Sequence, residues 1–536
     1  MTTKTKKVSA LHLILLLTLF LSAVGLWWGL PNFTTWAPDE LIPSRVISGM
    51  NQGFSHGWGD KYPPFHYYLI SLVYLPFWAL HGLQVLDWSR LNVYTVLFSL
   101  TRLLSVGMGL GIVYLVYRCG REMYDRRAAL FAALTASLSV PFVYYSKTAN
   151  LDVPYLFWLV WSLFFFLRAM KSHRTKDTLL FALMATLAVC TKDQAYAFYV
   201  AAPFLLVWAD WRDQRQTQGS ASLISLIRSR KYLLAAALAA GVFLLVHNVI
   251  LNWSGFLTHF SRITGPGRKV YALYPGTLAG HLGLVGVTVK QIQESLGWPL
   301  FLICLGGLAW SLVEKKKNTL LFSVLALAAS YYIFYINIVL YNFSRFNLPI
   351  CIVLAFFGGR FLSGALTASR PFLAARRALV ALALAYSFFY VSSVDILMVK
   401  DSRYAAERWM KVNIPRGALV GITGPVEYSP RLRGFRWERV PLSLPAFISS
   451  PPPGYILINS DYAGRFKRGT RQHRFFSNFD DRGGRYVPVS VFKTRLPWLL
   501  LKSQFIMTQI NLINPEIQIY KRTDEPELNP AGSSIE

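Results

Sequence analysis

The chain reads as a polytopic α-helical membrane protein followed by a small α/β domain, and three observations predict this. Of its 536 residues, 54% are hydrophobic, and the mean hydropathy of +0.37 is too apolar for a soluble protein of this size. Apolar stretches near the length that crosses a hydrocarbon core of roughly 30 Å recur from Leu11 to Leu397. After Lys400 the pattern gives way to short strand-like runs, turns and many charges. The expected boundaries are 1–397 for the membrane domain, 398–522 for the α/β domain and 523–536 for a disordered tail.

Spans are expected at 9–30, 93–117, 128–146, 153–170, 178–191, 194–209, 232–251, 295–313, 319–338, 347–365 and 377–395, eleven in all. The first follows a lysine-bearing start, as a signal peptide would. Its apolar run is long for an h-region and has no small-residue cleavage site ahead of Trp27-Trp28, so it is read as a retained helix. The segment 66–86 is long enough to cross, and the distribution of basic loops decides its placement. If it crossed, the loop from Arg118 to Arg127, with four arginines, would lie outside. If it lies along the interface, that loop is cytoplasmic, as are Lys171-His173-Arg174-Lys176, Arg212-Arg215, Arg228-Arg230-Lys231, Lys315-Lys316-Lys317 and Arg370-Arg376-Arg377. Tyr67, Tyr68, Tyr74 and Trp78 suit such an interfacial helix. The expected topology has a cytoplasmic N-terminus and an extracytoplasmic C-terminal domain, in a bacterial inner (plasma) membrane. That domain is itself basic, but long translocated domains escape the charge rule.

The net charge of +29 is spread through loops, without zinc spacing or a nucleic-acid motif, so anionic lipid or phosphate is the expected partner and nucleic acid is not. Cys119, Cys190, Cys304 and Cys351 lie in or beside apolar segments, as small buried hydrophobes do. No fixed-period repeat is visible.

This topology gathers charged residues on one face: Asp39, Glu40 and Lys61 in the first loop, Lys147 and Asp152 in the second, and Lys192 and Asp193 in the third. The loop 253–292 adds His259, Arg262, Arg268 and Lys269, and a later short loop adds Arg345. Each has a plain structural reading as well. Asp39-Glu40 and Asp152 could cap or begin helices. Lys147 and Lys192 could snorkel to headgroups, and Arg345 could pair with a carboxylate or a lipid. Their coincidence on one face favours a functional site. Triplets of the form Asn-x-Ser/Thr at Asn32, Asn252 and Asn342 lie so near the membrane that they read as coincidence.

Trp36-Ala37-Pro38-Asp39-Glu40 and Lys61-Tyr62-Pro63-Pro64-Phe65-His66-Tyr67-Tyr68 resemble the first external loop of the GT-C membrane glycosyltransferases. The group most resembled is that of the protein O-mannosyltransferases and aminoarabinose transferases. Tyr145-Ser146-Lys147, Leu151-Asp152-Val153-Pro154, Thr191-Lys192-Asp193 and Ser344-Arg345-Phe346-Asn347-Leu348-Pro349 follow in family order, with Asp193 where members often have glycine. The resemblance implies a GT-C fold of about eleven transmembrane helices with interfacial helices. It also implies transfer of a sugar from a polyprenyl-phosphate donor to a protein, glycolipid or envelope acceptor on the extracytoplasmic face.

By the same resemblance Asp39 is the expected catalytic base, with Glu40 second and Asp152 free to orient the acceptor, bind sugar hydroxyls or hold a metal. An acceptor hydroxyl is a poor nucleophile and needs such a base. The phosphate leaving group needs cations rather than an acid, for which Lys61 is the motif match and Lys192 and Arg345 are further expectations. Tyr62, Lys147 and His259 complete the expected substrate-binding set. A single displacement would invert the anomeric carbon. The residues name no cofactor; two or three acids could hold Mg²⁺ or Mn²⁺ through oxygen, though no ligand spacing demands it. The competing readings are a secondary transporter, which should show internal repeats and polar midplane helices, and a non-catalytic assembly factor of the same fold.

In the C-terminal domain a helix is expected over Ser402–Val412, with strands at Ala418–Thr423, Tyr455–Asn459, Tyr486–Phe492 and Ile517–Arg522. The apolar stretch Arg495–Ile513 is interrupted by Lys502 and is not read as a twelfth span.

Overall fold

Apolar runs become helices in a membrane because the backbone has no water to bond and must satisfy itself internally. The computed structural model describes residues 9–52, 62–265, 272–315, 317–367, 372–443, 452–466, 468–481, 486–496 and 513–523. It divides into two compact units, one of residues 1–26 and 39–392, the other of 27–38 and 393–536.

Among its described residues the first unit has helices and no strand. α1 (Ala10–Ala23) starts at Ser9, whose hydroxyl accepts from the His12 amide. α2 (Pro43–Asn51) begins on proline, and α3 (Phe65–Gly82) follows the Pro63-Pro64 pair. α4 (Leu91–Met123) leads to α5 (Arg126–Ser137), which Asp125 caps, and α5 bends by 69° into α6 (Val140–Ser146). α7 (Asp152–Ser172) and α8 (Thr175–Thr191) form a hairpin turning at His173, which adopts the left-handed conformation. A 3-10 turn, Asp193–Ala195, then leads through α9 (Tyr196–Tyr199), α10 (Ala202–Gln218) and α11 (Leu223–Ile227) to α12 (Arg230–Val246). Asn252 caps α13 (Trp253–Thr264), its side chain accepting from the Gly255 amide.

α14 (Leu278–Val313) is broken at Gly297, whose φ of 70° no helix accommodates, two residues before Pro299. α15 (Thr319–Tyr331) runs through a π-helical turn, Tyr332–Ile336, into α16 (Asn337–Val339). A 3-10 turn, Ser344–Asn347, opens α17 (Leu348–Thr367). α7 packs on α4 and α8, while α17 packs between α5 and α14. Glycine allows that last approach: a Cβ at Gly359 would lie 2.5 Å from the Ala128 carbonyl oxygen, and one at Gly307 2.1 Å from that of Phe357.

Each of the eleven expected spans falls on helix, but length and hydropathy qualify only six among the described residues, or seven with the bent α5–α6 pair. The shortfall is physical. α1 has 14 residues, α8 and α12 have 17 each, and 17 residues rise only about 25 Å. The expected span 194–209 is interrupted between α9 and α10. The segment expected along the interface is α3, which contains Pro76 and is not among the six.

The division between units falls within α18 (Leu373–Val399), a few residues before the expected boundary, and the second unit also takes in Trp27–Pro38. In it α19 (Ser402–Asn413) precedes a five-stranded sheet of order β2-β1-β3-β5-β4. The strands are β1 (Leu419–Ile422), β2 (Arg436–Arg439), β3 (Tyr455–Asn459), β4 (Tyr486–Phe492) and β5 (Ile517–Arg522). β1 pairs parallel with β2 and β3, while β5 runs antiparallel to β3 and β4, with Leu457 opposite Ile519. Ala406 and Met410 of α19 bury against Val420, Ile422, Leu457 and Ile519.

The α/β expectation holds, and all four expected strands are present. β2 was missed because Arg436-Trp437-Glu438-Arg439 has no apolar alternation, and α20 (Ser460–Ala463) and α21 (Arg471–Asp481) were missed as well. Residues 497–512 of the Arg495–Ile513 stretch and 524–536 of the tail lie outside the described residues.

Within this unit the early segment is gripped closely. Trp28 Nε1 donates to Asp401 (2.9 Å), Arg431 donates to the Leu30 carbonyl (2.7 Å), and the Arg403 guanidinium lies 4.1 Å from the Trp36 ring centre.

Candidate functional site

Asp39 stands just before α2 with a φ of 63°, a left-handed conformation that costs a non-glycine residue about 1–2 kcal/mol. Its neighbour explains how the chain is held there. Glu40 is buried in a two-point ion pair with Arg102 of α4 (2.7 and 3.0 Å) and also accepts from the Ala149 amide at 2.7 Å. The Leu41 amide donates back to the Ala149 carbonyl (2.9 Å), and Arg102 reaches the Leu26 carbonyl (2.6 Å). Glu40 thus anchors the loop to α4 and the segment after α6. Surrounding contacts of this kind are what keep a strained residue in place.

From that anchor the Asp39 carboxylate meets Arg345 of the Ser344–Asn347 turn at 3.1 Å. A second ion pair lies beside the first. Asp152 is the first residue of α7, where the helix dipole favours an acid, and it accepts from Lys192 at 2.7 Å. Phe346 lies against both cations, with ring centre 5.4 Å from the Arg345 guanidinium and 5.7 Å from Lys192 Nζ. Tyr155 takes the other side of Lys192 at 5.4 Å. Gln194 donates to the hydroxyls of Tyr155 and Tyr331, at 2.8 Å each.

Burial holds the Lys192 ammonium below the ordinary lysine range, opposed by Asp152. Burial also pushes the Tyr62 hydroxyl far up, and Asp39 and Asp152 push the same way. Tyr62 is therefore a hydrogen-bond donor beside both carboxylates rather than a base. Two carboxylates and two cations, from positions 39 to 345, form one balanced cluster. An arrangement of this kind can accept a proton at a carboxylate and meet a phosphate with a guanidinium and an ammonium.

The other expected residues are placed as follows. Lys147 is fully buried and donates to the carbonyls of Leu21 and of Val24 (2.8 Å), closing the end of α1. His259, on the buried side of α13, pairs with Asp193 at 3.0 Å, one residue from Lys192. Beside it His247 lies 3.6 Å from Cys190. Lys61, Arg268 and Lys269 lie outside the described residues. Among the described residues no three His, Cys, Asp or Glu side chains converge as metal ligands, and Asp39 and Asp152 each face a cation instead. Asn252 and Asn342 of the acceptor triplets are buried, with Asn252 serving as the cap of α13.

Sequence reasoning missed Arg102, although a lone arginine inside an apolar run of α4 is a signal in itself. Gln194, Tyr155 and Tyr331 carried no such mark.

A family model described as dolichyl-phosphate-mannose-protein mannosyltransferase matches residues 96–247. The resemblance read from the motifs is borne out. The match takes in Lys147, Asp152, Lys192 and Asp193, while Asp39 and Arg345 lie outside it. None of the curated proteins matches the chain in sequence.

Among solved structures the chain is similar to the oligosaccharyltransferase AglB of Archaeoglobus fulgidus in complex with an inhibitory peptide and a dolichol-phosphate (16% identity, TM-score 0.46), covering 78% of this chain and 62% of that one. The chain thus spans less than two thirds of that relative. It is also similar to ArnT of Cupriavidus metallidurans bound to undecaprenyl phosphate (13% identity, TM-score 0.45, 85% and 93% covered). A third likeness is to the S. cerevisiae protein O-mannosyltransferase Pmt1-Pmt2 complex bound to the sugar donor (17% identity, TM-score 0.34, 47% and 35% covered).

Proposed function

We propose that this integral membrane protein is an inverting glycosyltransferase. It moves a sugar from a polyprenyl-phosphate donor to an acceptor hydroxyl at the extracytoplasmic face. The observation that carries this reading is the paired cluster Asp39–Arg345 and Asp152–Lys192, assembled from four separate stretches of chain. The family match over 96–247 supports it, and so does the distribution of basic loops, which favours these residues lying opposite the cytoplasm.

In the proposed reaction the acceptor oxygen attacks the anomeric carbon and Asp39 takes its proton as the new bond forms. The bond from that carbon to the phosphate oxygen breaks, and the polyprenyl phosphate leaves with the electron pair. Arg345 and Lys192 face the charge that develops on it, together with Lys61 by motif. Asp152 holds Lys192 in place and orients the acceptor or the sugar hydroxyls. Glu40 serves the base indirectly, as its anchor. The acceptor class, whether protein, glycolipid or envelope polymer, is open to assay.

The test is incubation of the purified chain with a panel of polyprenyl-phosphate sugars and candidate acceptors, scored for donor loss and product stereochemistry. Turnover of one donor with inversion is expected. Retention at the anomeric carbon, or inertness towards every donor by protein that remains folded and binds polyprenyl phosphate, would sink the reading.

A further inference from the structure

Three buried side-chain amides surround the turn that carries Arg345, and they close on one another. Gln291 of α14 donates to the Asn342 backbone carbonyl (3.0 Å), Asn342 donates to Asn347 Oδ1 (3.0 Å), and Asn347 donates back to Gln291 Oε1 (2.9 Å). Asn342 also donates to Thr288 Oγ1 at 2.8 Å, one turn earlier on α14. All four residues are buried, Asn347 completely. Ser344, Arg345 and Phe346 lie between the two asparagines, so the ring clasps the segment on both sides.

The same stretch is tied to the start of the α14 region twice more, by His281 Nδ1 to Asn337 Oδ1 (2.7 Å) and by the Tyr274 amide to the Leu340 carbonyl (3.1 Å). The arm of α14 that carries His281, Thr288 and Gln291 ends at the Gly297 break.

Burying amides costs free energy unless their hydrogen bonds are met, and apolar groups would pack the same space without that demand. A closed ring of hydrogen bonds in a low dielectric does something apolar packing does not: it fixes direction. Here the fixed object is a guanidinium 3.1 Å from a carboxylate.

We propose that Gln291, Asn342 and Asn347 are positioning residues for Arg345, holding it where it orients Asp39. The assignment rests on the reading of Asp39 as base. The amides touch no reacting atom; they act through Arg345, and the α14 arm sets where that residue stands.

The experiment compares Gln291→Leu and Asn347→Leu in the full-length chain, using the polyprenyl-phosphate sugar that the panel identifies, first with native Arg345 and then in an Arg345→Lys background. With native Arg345, each is expected to lower kcat on the order of 10-fold to 100-fold while leaving the donor KM nearly unchanged. In the Arg345→Lys background the same changes should cost little more, because the positioned group is already altered. Equal losses in both backgrounds would overturn the proposal and make the ring simple packing. So would an unchanged kcat. Thr288→Val, which removes one contact of Asn342, gives the same comparison in milder form if the leucine variants do not fold. Asp39→Asn is run alongside. Activity in that variant would remove Asp39 as base, yet the dependence of the Gln291 effect on Arg345 would still be read.

Discussion

Asp39 and Glu40 are neighbours in the chain and each faces an arginine, yet their surroundings differ. The Glu40–Arg102 pair is sealed, with side chains 0% and 1% exposed, and both ends carry further hydrogen bonds to backbone. The Asp39 side chain is 24% exposed, and its backbone is held left-handed. A sealed, saturated ion pair fixes geometry, because nothing can approach it without breaking it. A carboxylate that keeps access to solvent and a cation is placed to exchange a proton. On the proposed reading the difference separates an anchor from a base, two roles that residue type alone cannot tell apart.

The sharpest way to break that comparison is Asp39→Asn. It should lower turnover by about 10²–10⁴-fold with protein abundance unchanged, measured as product formed per folded protein. Near-normal turnover would end the distinction.

The anchor is tested by Arg102→Met, which leaves the Glu40 carboxylate buried beside no guanidinium. A loss of about 3–5 kcal/mol is expected, read from unfolding in detergent. The double variant Arg102→Met with Glu40→Met should recover part of it. A single variant as stable as the parent, but inactive, would instead give Glu40 a chemical role.

The second ion pair makes the comparison quantitative through pH. Burial depresses the pKa of Lys192, so its positive charge is complete at lower pH and is lost as pH rises through a value below that of an exposed lysine. Donor affinity should weaken over that alkaline range. Lys192→Arg, which keeps its charge, should move the loss to higher pH. Identical alkaline profiles of donor KM for the two proteins would remove Lys192 from phosphate binding.

The smallest effect expected is at Gly297. Alanine there meets a φ of 70° and places a Cβ 3.2 Å from the Tyr390 ring. A stability loss of about 1–2 kcal/mol should follow, with a smaller change in kcat carried through the α14 arm. If the melting temperature fell while kcat held, the arm would be uncoupled from Arg345.

Much of this was legible in the sequence. Apolar runs placed most helices of the membrane unit, since backbone satisfaction in lipid leaves a chain few options, but the expected loop 253–292 instead holds α13 and the first half of α14. Alternating helix and strand signals placed α19 and four of the five strands. Asp39, Asp152, Lys192 and Arg345 stood out because charges beside apolar spans are costly and visible. The partners were less visible. Lys147 was expected among the substrate-binding residues, yet it closes the end of α1, because a carbonyl acceptor from a distant helix end leaves no mark in the sequence. Gln291, Asn342 and Asn347 are ordinary residue types whose importance lies in meeting one another. The Trp27–Pro38 segment read as the end of the first span and the start of the first loop, and belongs instead with the second unit.

The amino-acid order by itself determined which stretches are helical, which charges are conspicuous and which family the motifs resemble, since these follow from local composition and spacing. Only the tertiary structure decided which carboxylate is sealed and which is open, and which cation each one meets. Burial and pairing depend on contacts across as many as three hundred positions, and an interaction of that range is a property of the packed whole.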